Sequence, residues 1–437
     1  MGFLTPLRDA QQLVLDSCER FHPSAISLNE ALGCVSSIAI VAEESVPGFD
    51  NSAMDGYAVQ SIDTQGASEA KPVRLKALGT LAAGGSLGEL TVGRGEALRI
   101  MTGAPMPKGA DAVVMVERSV VIDESTVELS LEVAPGTCVR RSGDDLSLGD
   151  IAVEEGTTLS PGHLGVLASL GVRRVPVYRK ARVGVLSTGD ELVEGNGPLQ
   201  IGQIRDSNRP TLLALALQAG CDVVDLGCIR DDEETLSEAI ARGADSCDAL
   251  ITSGGVSMGD FDLVKVVLDR MADMSWLQIA IKPAKPFAFG MVNSGMVNSR
   301  ESSRAIPVFG LPGNPVSSMV SFELFARPAL RKMMGHSQLH RPRLRAIATH
   351  DFERRPDGKT HFVRVVVSQD EQGNFMVASA GGQGSHQLRA MAEANGLVVL
   401  ADGPGAKSGG LVDTMLLNVD PWKIDPWRIA NRTTYDE

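Results

Sequence analysis

The sequence predicts a multidomain protein that combines α/β and β domains, and three observations support this class. The chain has 437 residues, enough for roughly two to four domains at about 100–200 residues each. Apolar strands alternate with helical patterns over residues 181–335, which predicts an α/β domain with a mostly parallel sheet. Short apolar runs among glycines at 46–145 predict an irregular β-rich domain, and alternating patterns at 336–425 predict a C-terminal β domain. Residues 1–45 and 146–180 form an N-terminal and linking domain in this scheme.

The N-terminal region carries helix signals. Thr5 and Pro6 fit an N-cap and a first-turn proline at the start of the first helix. Ser27 and Glu30 fit a capping box that opens a second helix, which Gly33 would end. Later runs such as "ALRIM" and "AVVMVE" are typical of strands in a β-rich region.

The α/β region follows a linking segment at 151–180. Its strands are "RVGVLSTG", "CDVVDLGCI", "ALITSGG", "WLQIAIKP" and "AIPVFGLPG", and its helices cover 208–220, 231–243, 262–271 and 315–334. The polar run "MVNSGMVNSRESSR" at 291–304 interrupts the alternation, and we expect a hairpin extension or mobile loop there, with no chemistry assigned.

Composition narrows the possible functions. A net charge of −13 weighs against non-specific nucleic-acid binding, so an anionic ligand would need a local positive site or a metal. The six cysteines form no CxxC motif and predict reduced thiols rather than a disulfide framework. The start "MGFLTPLRDA" lacks a signal-peptide pattern, and no run approaches the roughly 20 apolar residues of a membrane span. We therefore expect a cytoplasmic protein.

Chemically capable residues concentrate where the predicted strands end, which is where open α/β sheets bind ligands. Four loops lie there: "STGDEL" at 187–192, "RDD" at 230–232, "SGGVSMGDFD" at 253–262 and "GLPGNPVS" at 310–317. Each loop taken alone is better explained as a turn, or as a helix start with acids that favour the dipole. The four together, with the lysines of "KPAKP", indicate a ligand site.

These loops supply groups that suit a phosphorylated ligand with Mg²⁺. Glycine N–H groups, a hydroxyl, a helix start and two lysines can bind phosphate: Gly254, Gly255, Gly259, Ser257, Gly313, Asn314, Lys282 and Lys285. Glu191, Asp231 and Asp262 offer the oxygen ligands that Mg²⁺ prefers. No GxGxxG follows a strand and no GxxxxGK[ST] occurs, which weakens a dinucleotide-binding hypothesis and excludes a P-loop.

The stretch "VPGFDNSAMDGYAV" at 46–59 places two carboxylates, Asp50 and Asp55, in a loop punctuated by proline and glycine. A tight loop needs turn-forming residues rather than two acids and an aromatic. The simpler interpretation is a structural turn capped by Asp50 or Asn51, and the alternative is a functional role for Asp55.

Long motifs resemble those of the molybdopterin molybdenumtransferases, the MoeA family, which is related to the gephyrin E domain. "GVLSTGDEL", "SGGVSMGDFD", "IKPAKPFAFG" and "GLPGNPVS" resemble its molybdopterin-binding domain, which molybdopterin adenylyltransferases and competence-damage-type proteins share. "PGFDNSAMDGYAV", "RIMTGAPMPKGADAVVMVE" and "RRSGDDL" resemble the MoeA family itself. The resemblance runs from about residue 5 to about 415 and includes "GGQGSH" at 381–386.

The resemblance implies a fold and an activity. It implies an elongated, L-shaped subunit with a molybdopterin-binding α/β domain, an intertwined N-terminal pair and a C-terminal β-barrel-like domain. Two subunits would form a homodimer whose cleft is completed by the partner's N-terminal loops. The family uses adenylyl-molybdopterin and molybdate, with Mg²⁺, breaks the phosphoanhydride, releases AMP and leaves molybdenum on the dithiolene. A molybdopterin adenylyltransferase is the other expected partner.

The resemblance also implies residue roles. The catalytic candidates are Asp55, Thr102, Asp145, Asp231, Lys282 and Lys285. The candidates for binding the molybdopterin compound are Ser187, Thr188, Gly189, Gly254, Gly255, Ser257, Gly259, Pro312, Gly313 and Asn314. The metal candidates are Glu191 and Asp262. Asp55 would belong to an acidic wall of the cleft.

Two residues depart from the family pattern. Gln278 lies where some relatives carry a basic residue, which removes one possible anion contact. Ala284 replaces the usual glycine between the two lysines, which is compatible with binding if its φ is negative.

Two other function classes stay open. An adenylyltransferase is disfavoured because such enzymes resemble only the α/β part, and this chain also has the 46–150 and 340–420 regions. A scaffold, as gephyrin also is, is disfavoured because no second domain or long linker is recognisable in the sequence.

Overall fold

A computed structural model describes residues 4–86, 88–255, 263–293 and 305–417. The described chain divides into two compact units. The larger unit comprises residues 4–24, 33–35 and 177–417, and the smaller unit comprises residues 25–32 and 36–176. Within these described ranges, no helix is long and apolar enough to cross a membrane.

The helices of the described chain are short. They are α1 (Leu7–Ser17), α2 (Pro161–Ser169), α3 (Asn208–Gln218), α4 (Glu233–Ser246), α5 (Leu263–Met271), α6 (Pro315–Ser321), α7 (Arg327–Met333) and α8 (Leu388–Glu393). A π-helical turn at Phe322–Ala326 joins α6 to α7.

The smaller unit is built mainly from strands. With the short strands at its borders, these are β1 (Ser24–Ser27), β2 (Val35–Ser36), β3 (Ile40–Val41), β4 (Asn51–Ser52), β5 (Gly56–Val59), β6 (Val73–Leu81), β7 (Glu96–Ile100), β8 (Ala112–Met115), β9 (Ser119–Asp123), β10 (Thr126–Leu129), β11 (Val139–Arg140), β12 (Ile151–Val153) and β13 (Arg174–Tyr178). Its main sheet has the order β8-β5-β7-β6-β10-β9, and β4 pairs separately with β11. The predicted β-rich character of this region is confirmed.

The larger unit contains the predicted α/β domain. Its strands are β14 (Arg182–Thr188), β15 (Leu192–Val193), β16 (Ile204–Arg205), β17 (Asp222–Ile229), β18 (Ala249–Ser253), β19 (Ala272–Gln278), β20 (Ile281–Lys282), β21 (Pro286–Asn293) and β22 (Ala305–Leu311). The main sheet has the order β17-β14-β18-β22-β21-β19. Strands β14 and β18 are buried along nearly their whole length, as expected for parallel strands covered on both faces.

Strand direction decides where the loops meet. Strands β17, β14, β18 and β22 run parallel, whereas β21 is antiparallel to both β22 and β19. Strand β19 therefore runs in the same direction as β22, and the turn at 279–285 lies at the edge where the four parallel strands end. The prediction of a mostly parallel sheet is confirmed.

The C-terminal part of the larger unit closes into a barrel. Its strands are β23 (Arg343–Ala348), β24 (Phe352–Glu353), β25 (Thr360–Gln369), β26 (Phe375–Ser379), β27 (Gly396–Leu400), β28 (Gly405–Ala406) and β29 (Leu411–Leu416). The order β25-β26-β23-β29-β27 is closed by pairing of β27 with β25. Strand β20 adds to β25, with Lys282 opposite His361. The expected β-barrel-like domain is confirmed.

Some local predictions are wrong. The capping box predicted at Ser27 does not form, since the Ser27 side chain makes no capping hydrogen bond, and only a 3₁₀ turn, Leu28–Glu30, follows. The chain reverses at Gly33, where φ is 78°, so the segment is too short to sustain an α-helix. The predicted linking segment at 151–180 contains α2, whose N-cap Ser160 accepts a hydrogen bond from the His163 backbone N–H.

The first helix begins later than predicted. Its N-cap is Pro6, and Thr5 instead donates its backbone N–H to the Gln278 carbonyl at 2.7 Å. Thr5 therefore ties the N-terminus to the end of β19 rather than capping α1.

Candidate functional site

The strand-end loops of the α/β sheet bind one another directly. The Thr188 hydroxyl donates to the Asp231 carboxylate at 2.6 Å, and the Asp231 N–H donates to Asp190 at 3.2 Å. On the other side, the Gly254 N–H donates to the Leu311 carbonyl at 3.1 Å. The loops after β14, β17, β18 and β22 therefore form one continuous surface.

Two glycines allow this close approach. Gly254 has a φ of 97°, and a Cβ there would lie 2.9 Å from the Thr188 carbonyl oxygen. Gly189 has a φ of 149°, and a Cβ there would lie 2.5 Å from Glu191 Oε2. Both positions therefore favour glycine by conformation, and at Gly254 the backbone oxygen of Thr188 also leaves no room for a Cβ, whereas the Glu191 side chain beside Gly189 could move. Gly255 also has a positive φ, 68°.

Two of the predicted binding residues use their hydroxyls within the protein. Ser187 is fully buried, and its Oγ donates to Asp206 at 2.5 Å. Thr188 is also buried, with its hydroxyl bound to Asp231. Both side chains shape the loop, and the backbone from Thr188 to Gly189 is the part available to a ligand.

The turn after β19 presents the two predicted lysines. Lys282 and Lys285 are exposed, and neither has an ion-pair partner among the described residues. The turn is closed by the Ile279 N–H, which donates to the Lys285 carbonyl at 2.7 Å. Both ammonium groups are therefore available to an anion.

Ala284 does not meet the condition of a negative φ under which an alanine between these lysines is expected to be compatible with binding. Its φ is 73°, in the left-handed region that favours glycine. The side chain is buried, 3% exposed. The tight closure of the turn imposes this conformation, and this chain accommodates an alanine where the family pattern has glycine. Gln278, the other departure, ends β19 opposite Pro286.

A cleft of about 1080 Å³ joins the lysine turn to the barrel. Its α/β side includes Lys282, Lys285, Pro312, Asn314 and Ser317. Its barrel side includes residues that sequence reasoning did not select as site residues: Arg354, Arg355, Asp357, Lys359, His361, Gln383 and Ser385. The motif "GGQGSH" was the available signal for the last two. Asn314 is the N-cap of α6, but its side chain makes no capping hydrogen bond.

Asp357 organises the basic side chains on the barrel side. It accepts hydrogen bonds from Arg354 at 2.7 Å, Lys359 at 3.3 Å and His361 at 3.1 Å. Burial raises the pKa of Asp357, but the bonds from His361 and Lys359 outweigh it and lower the pKa to about 2. Burial lowers the pKa of His361, and the hydrogen bond to Asp357 partly offsets this effect. The cleft wall therefore keeps a fixed arrangement of donors.

Two further residues at this edge were missed from the sequence. Asp206 receives the Ser187 hydroxyl, and Asn208 donates from Nδ2 to Ser253 Oγ at 2.8 Å and to the Gly313 carbonyl at 2.7 Å. Both belong to "IRDSN", a polar run just before α3. That run was the available signal.

In the smaller unit, Asp55 and Thr102 are in direct contact. Asp55 Oδ1 accepts hydrogen bonds from both the backbone N–H and the hydroxyl of Thr102, each at 2.7 Å. The backbone bond, followed by the hydroxyl bond, lowers the pKa of Asp55 below its ordinary value. Both residues are exposed, so the loop presents a fixed, ionised carboxylate to solvent. The next position requires glycine, because a Cβ at Gly56 would lie 2.1 Å from the Val114 carbonyl oxygen.

Asp50 has a structural role. Its carboxylate accepts from the Ser142 N–H at 2.8 Å and from Arg141 at 2.7 Å, and these bonds lower its pKa. It thereby joins the 46–59 loop to the loop that carries Asp145. Asp145 is exposed, and its backbone N–H donates to the Val46 carbonyl at 3.0 Å.

Of the two candidate metal ligands, Glu191 lies in the described ranges and Asp262 does not. No group of three or more His, Cys, Asp or Glu side chains in 4–86, 88–255, 263–293 and 305–417 is arranged to hold a metal ion. Glu191 lies beside Gly189. Ser257, Gly259 and Asp262 lie outside the described residues, as does most of the 291–304 insertion.

Three family models match successive parts of the chain. Residues 5–171 match the MoeA N-terminal region (domain I and II), and residues 184–332 match a probable molybdopterin binding domain. Residues 345–417 match the MoeA C-terminal region (domain IV).

Individual relatives agree with these models. A molybdopterin molybdenumtransferase from Haemophilus influenzae is 40% identical, over 88% of this chain and 91% of that protein. One from Bacillus subtilis is 33% identical over 98% of each. The crystal structure of the molybdopterin biosynthesis moeA protein from Pyrococcus horikoshii OT3 matches with a TM-score of 0.72 and 28% identity, covering 95% of this chain and 100% of that one. The chain therefore belongs to the molybdopterin molybdenumtransferase family, the MoeA family.

Proposed function

We propose that this chain inserts molybdenum from molybdate into adenylyl-molybdopterin and releases AMP, giving molybdenum cofactor. As a member of its family it is an enzyme, a transferase of molybdenum cofactor biosynthesis. The observation that carries the assignment of the site is the shared edge of the α/β sheet. Four loops bind one another there, and the lysine turn opens into a cleft of about 1080 Å³.

The residues of this edge suit the phosphates of the substrate. Lys282 and Lys285 offer ammonium groups that have no ion-pair partner in the described part of the chain, and backbone N–H groups at Gly189 and Gly255 offer neutral donors. Such preorganised donors stabilise charge that develops on phosphoryl oxygens, which is the main contribution a protein makes to this class of reaction. Asp231 is bound by Thr188 and serves to fix the loop after β17 beside the site.

Mg²⁺ is part of this proposal. Glu191 is a carboxylate of the type that Mg²⁺ prefers, and Mg²⁺ usually takes one or two carboxylates plus water and substrate phosphates. When bound, the ion would neutralise phosphate charge, and Asp262 is the second proposed ligand. Asp262→Asn should lower the Mg²⁺-dependent turnover far more than it lowers the stability of the fold. Superimposable Mg²⁺ titrations of variant and parent would remove Asp262 from the ligand set.

We further propose a homodimer in the cytoplasm, with Asp55, Thr102 and Asp145 completing a cleft of the partner subunit. The family resemblance supports this arrangement. The fixed, ionised state of Asp55 supports a role in placing the attacking group, since a carboxylate held by two hydrogen bonds keeps one direction. A molybdopterin adenylyltransferase is the proposed supplier of the substrate.

Four parallel reactions test the function. The protein is incubated with adenylyl-molybdopterin, with adenylyl-molybdopterin plus molybdate, with both plus Mg²⁺, and with molybdopterin plus ATP and Mg²⁺. We expect molybdenum cofactor and AMP from the third mixture alone. Adenylyl-molybdopterin formed in the fourth would indicate an adenylyltransferase. Binding of the substrate without product in any mixture would indicate a scaffold.

A further inference from the structure

The segment 206–208, between β16 and α3, ties together three strand ends of the α/β sheet. Asp206 receives the hydroxyl of Ser187, in β14. Asn208 Nδ2 donates to Ser253 Oγ at 2.8 Å and to the Gly313 carbonyl at 2.7 Å. Ser253 is the last residue of β18, and Gly313 lies between β22 and α6. Two side chains thus connect the three loops that contain most of the glycine donors.

This segment is itself held firmly. Asn208 is the first residue of α3, whose inner face is anchored by buried Leu212 and Ala216. Asp206 is fixed by Arg209, which donates from Nε at 3.1 Å. The amide of Asn208 therefore projects from a packed helix end, and its position is set independently of the loops that it binds.

The orientation of the Asn208 amide follows from its partners. The Gly313 carbonyl can only accept, so Nδ2 must face it. The other atom, Oδ1, is buried and has no hydrogen-bond partner in the part of the chain that the structure describes. A buried acceptor without a donor reduces stability. The two bonds from Nδ2 are therefore the contacts through which Asn208 acts on the loops.

We propose that Asn208 is a positioning residue for the transfer reaction. It holds the loops after β18 and β22 at the separation at which Gly254, Gly255 and Asn314 can bind one phosphorylated substrate. This inference rests on the proposed function of the same edge and assigns a role to a residue that touches the loops rather than the reacting atoms. Without the bridge, the bond from the Gly254 N–H to the Leu311 carbonyl still joins the two strand ends, but Gly313, further along the loop after β22, loses its link to Ser253.

The test compares Asn208 with a matched asparagine in the barrel. Asn395 is buried, accepts from the Val367 N–H at 2.6 Å and donates to the Val367 carbonyl at 3.0 Å. Asn395→Ala thus removes a buried amide with two hydrogen bonds from the same unit without touching the loops. Asn208→Asp keeps the volume of the side chain but sets a carboxylate oxygen against the Gly313 carbonyl.

We expect Asn208→Ala and Asn208→Asp to lower kcat/KM by about 10- to 100-fold, the usual range for a residue that orients binding groups. KM for adenylyl-molybdopterin should rise while kcat falls. Asn395→Ala should lower the unfolding temperature with KM unchanged. A parent-like KM in both Asn208 variants would overturn the proposal, because a purely structural role lowers only the fraction of active protein.

Amide hydrogen exchange separates this inference from the proposed function. Asn208→Ala should raise exchange in segments 249–255 and 310–316 together, whereas Asn395→Ala should change neither. This readout needs no turnover, so it stands even if the parent protein fails to transfer molybdenum. Unchanged exchange in both segments would show that Asn208 does not hold the loops and would overturn the proposal.

Discussion

Replacing Lys282 by glutamine tests the assignment of the lysine turn to phosphate binding. The side chain keeps its polarity and most of its length but loses its charge. Lys282 is exposed and has no ion-pair partner among the described residues, so no protein carboxylate is left uncompensated. Its backbone pairs with that of His361 in β25, and this pairing stays intact in the variant.

The magnitude follows from the strength of a hydrogen bond to a charged group. Such a bond contributes about 1.5–3 kcal/mol, which corresponds to about 10- to 150-fold in kcat/KM at 1.36 kcal/mol per factor of ten. Since Lys282 is exposed, solvent and salt screen the interaction, and we expect the lower end, about 10-fold. Lys285→Gln should behave alike, and the double variant should lose about 100-fold if the two contacts are independent.

The assay is steady-state turnover of adenylyl-molybdopterin, together with equilibrium binding at two salt concentrations. The loss should appear in KM and Kd and should shrink as salt is raised. Lys76→Gln is the matched control, because Lys76 is an exposed lysine of the smaller unit that pairs with Glu96 at 3.1 Å. Parent-like Kd values in both lysine-turn variants would refute the reasoning.

Three further predictions address other parts of the account. Ala284→Gly relieves left-handed strain of about 1–2 kcal/mol but loses the burial of a methyl group, about 0.8 kcal/mol. The free energy of unfolding measured in urea should therefore rise by about 0 to 1 kcal/mol, and a clear decrease would contradict this. Thr102→Val removes the hydroxyl bond, one of the two hydrogen bonds that lower the pKa of Asp55 below its ordinary 3.8, so the pKa of Asp55 should rise. As the pH falls, the stability that the ionised carboxylate contributes should then be lost at a higher pH than in the parent. An unchanged NMR titration of the Asp55 carboxyl would count against this. Asp55→Ala and Asp262→Ala, each inactive alone, should recover up to about one quarter of parent activity when mixed subunits exchange, whereas no recovery despite proven exchange would place each cleft within one chain.

The fold class was predictable because the apolar patterns are strong. Runs such as 182–188 and 249–253 are too apolar and too short for anything but buried strands, and the structure has β14 and β18 there. The helix predicted at 231–243 is α4, Glu233–Ser246, and Asp232, one of the acids at its start, caps it by accepting from the Thr235 N–H. The residues that give these signals lie within the element itself, so the local sequence is enough to predict the element.

The missed features depend on contacts distant in sequence. Asp50 finds its partner in Arg141, 91 residues away, so no local pattern distinguished its role from that of Asp55. Asn208 bridges to Gly313, 105 residues away. The positive φ of Ala284 follows from closure of a turn between two strands, which composition does not reveal.

The barrel side of the cleft was missed for the same reason. His361 and Asp357 face the lysine turn only because β20 adds to β25. In sequence they are ordinary charged residues of a β region. The strand-end loops and the long motifs point mainly to the α/β side of the cleft, and of the barrel side only "GGQGSH" gave a signal.

The molybdate dependence of AMP release tests the central claim most directly. Purified protein with adenylyl-molybdopterin and Mg²⁺ is followed before and after molybdate is added, with AMP and dithiolene-bound molybdenum measured together. The account predicts little AMP before the addition and, after it, AMP in equal amount to the molybdenum cofactor formed. AMP release at the same rate without molybdate, or AMP without bound molybdenum, would contradict it.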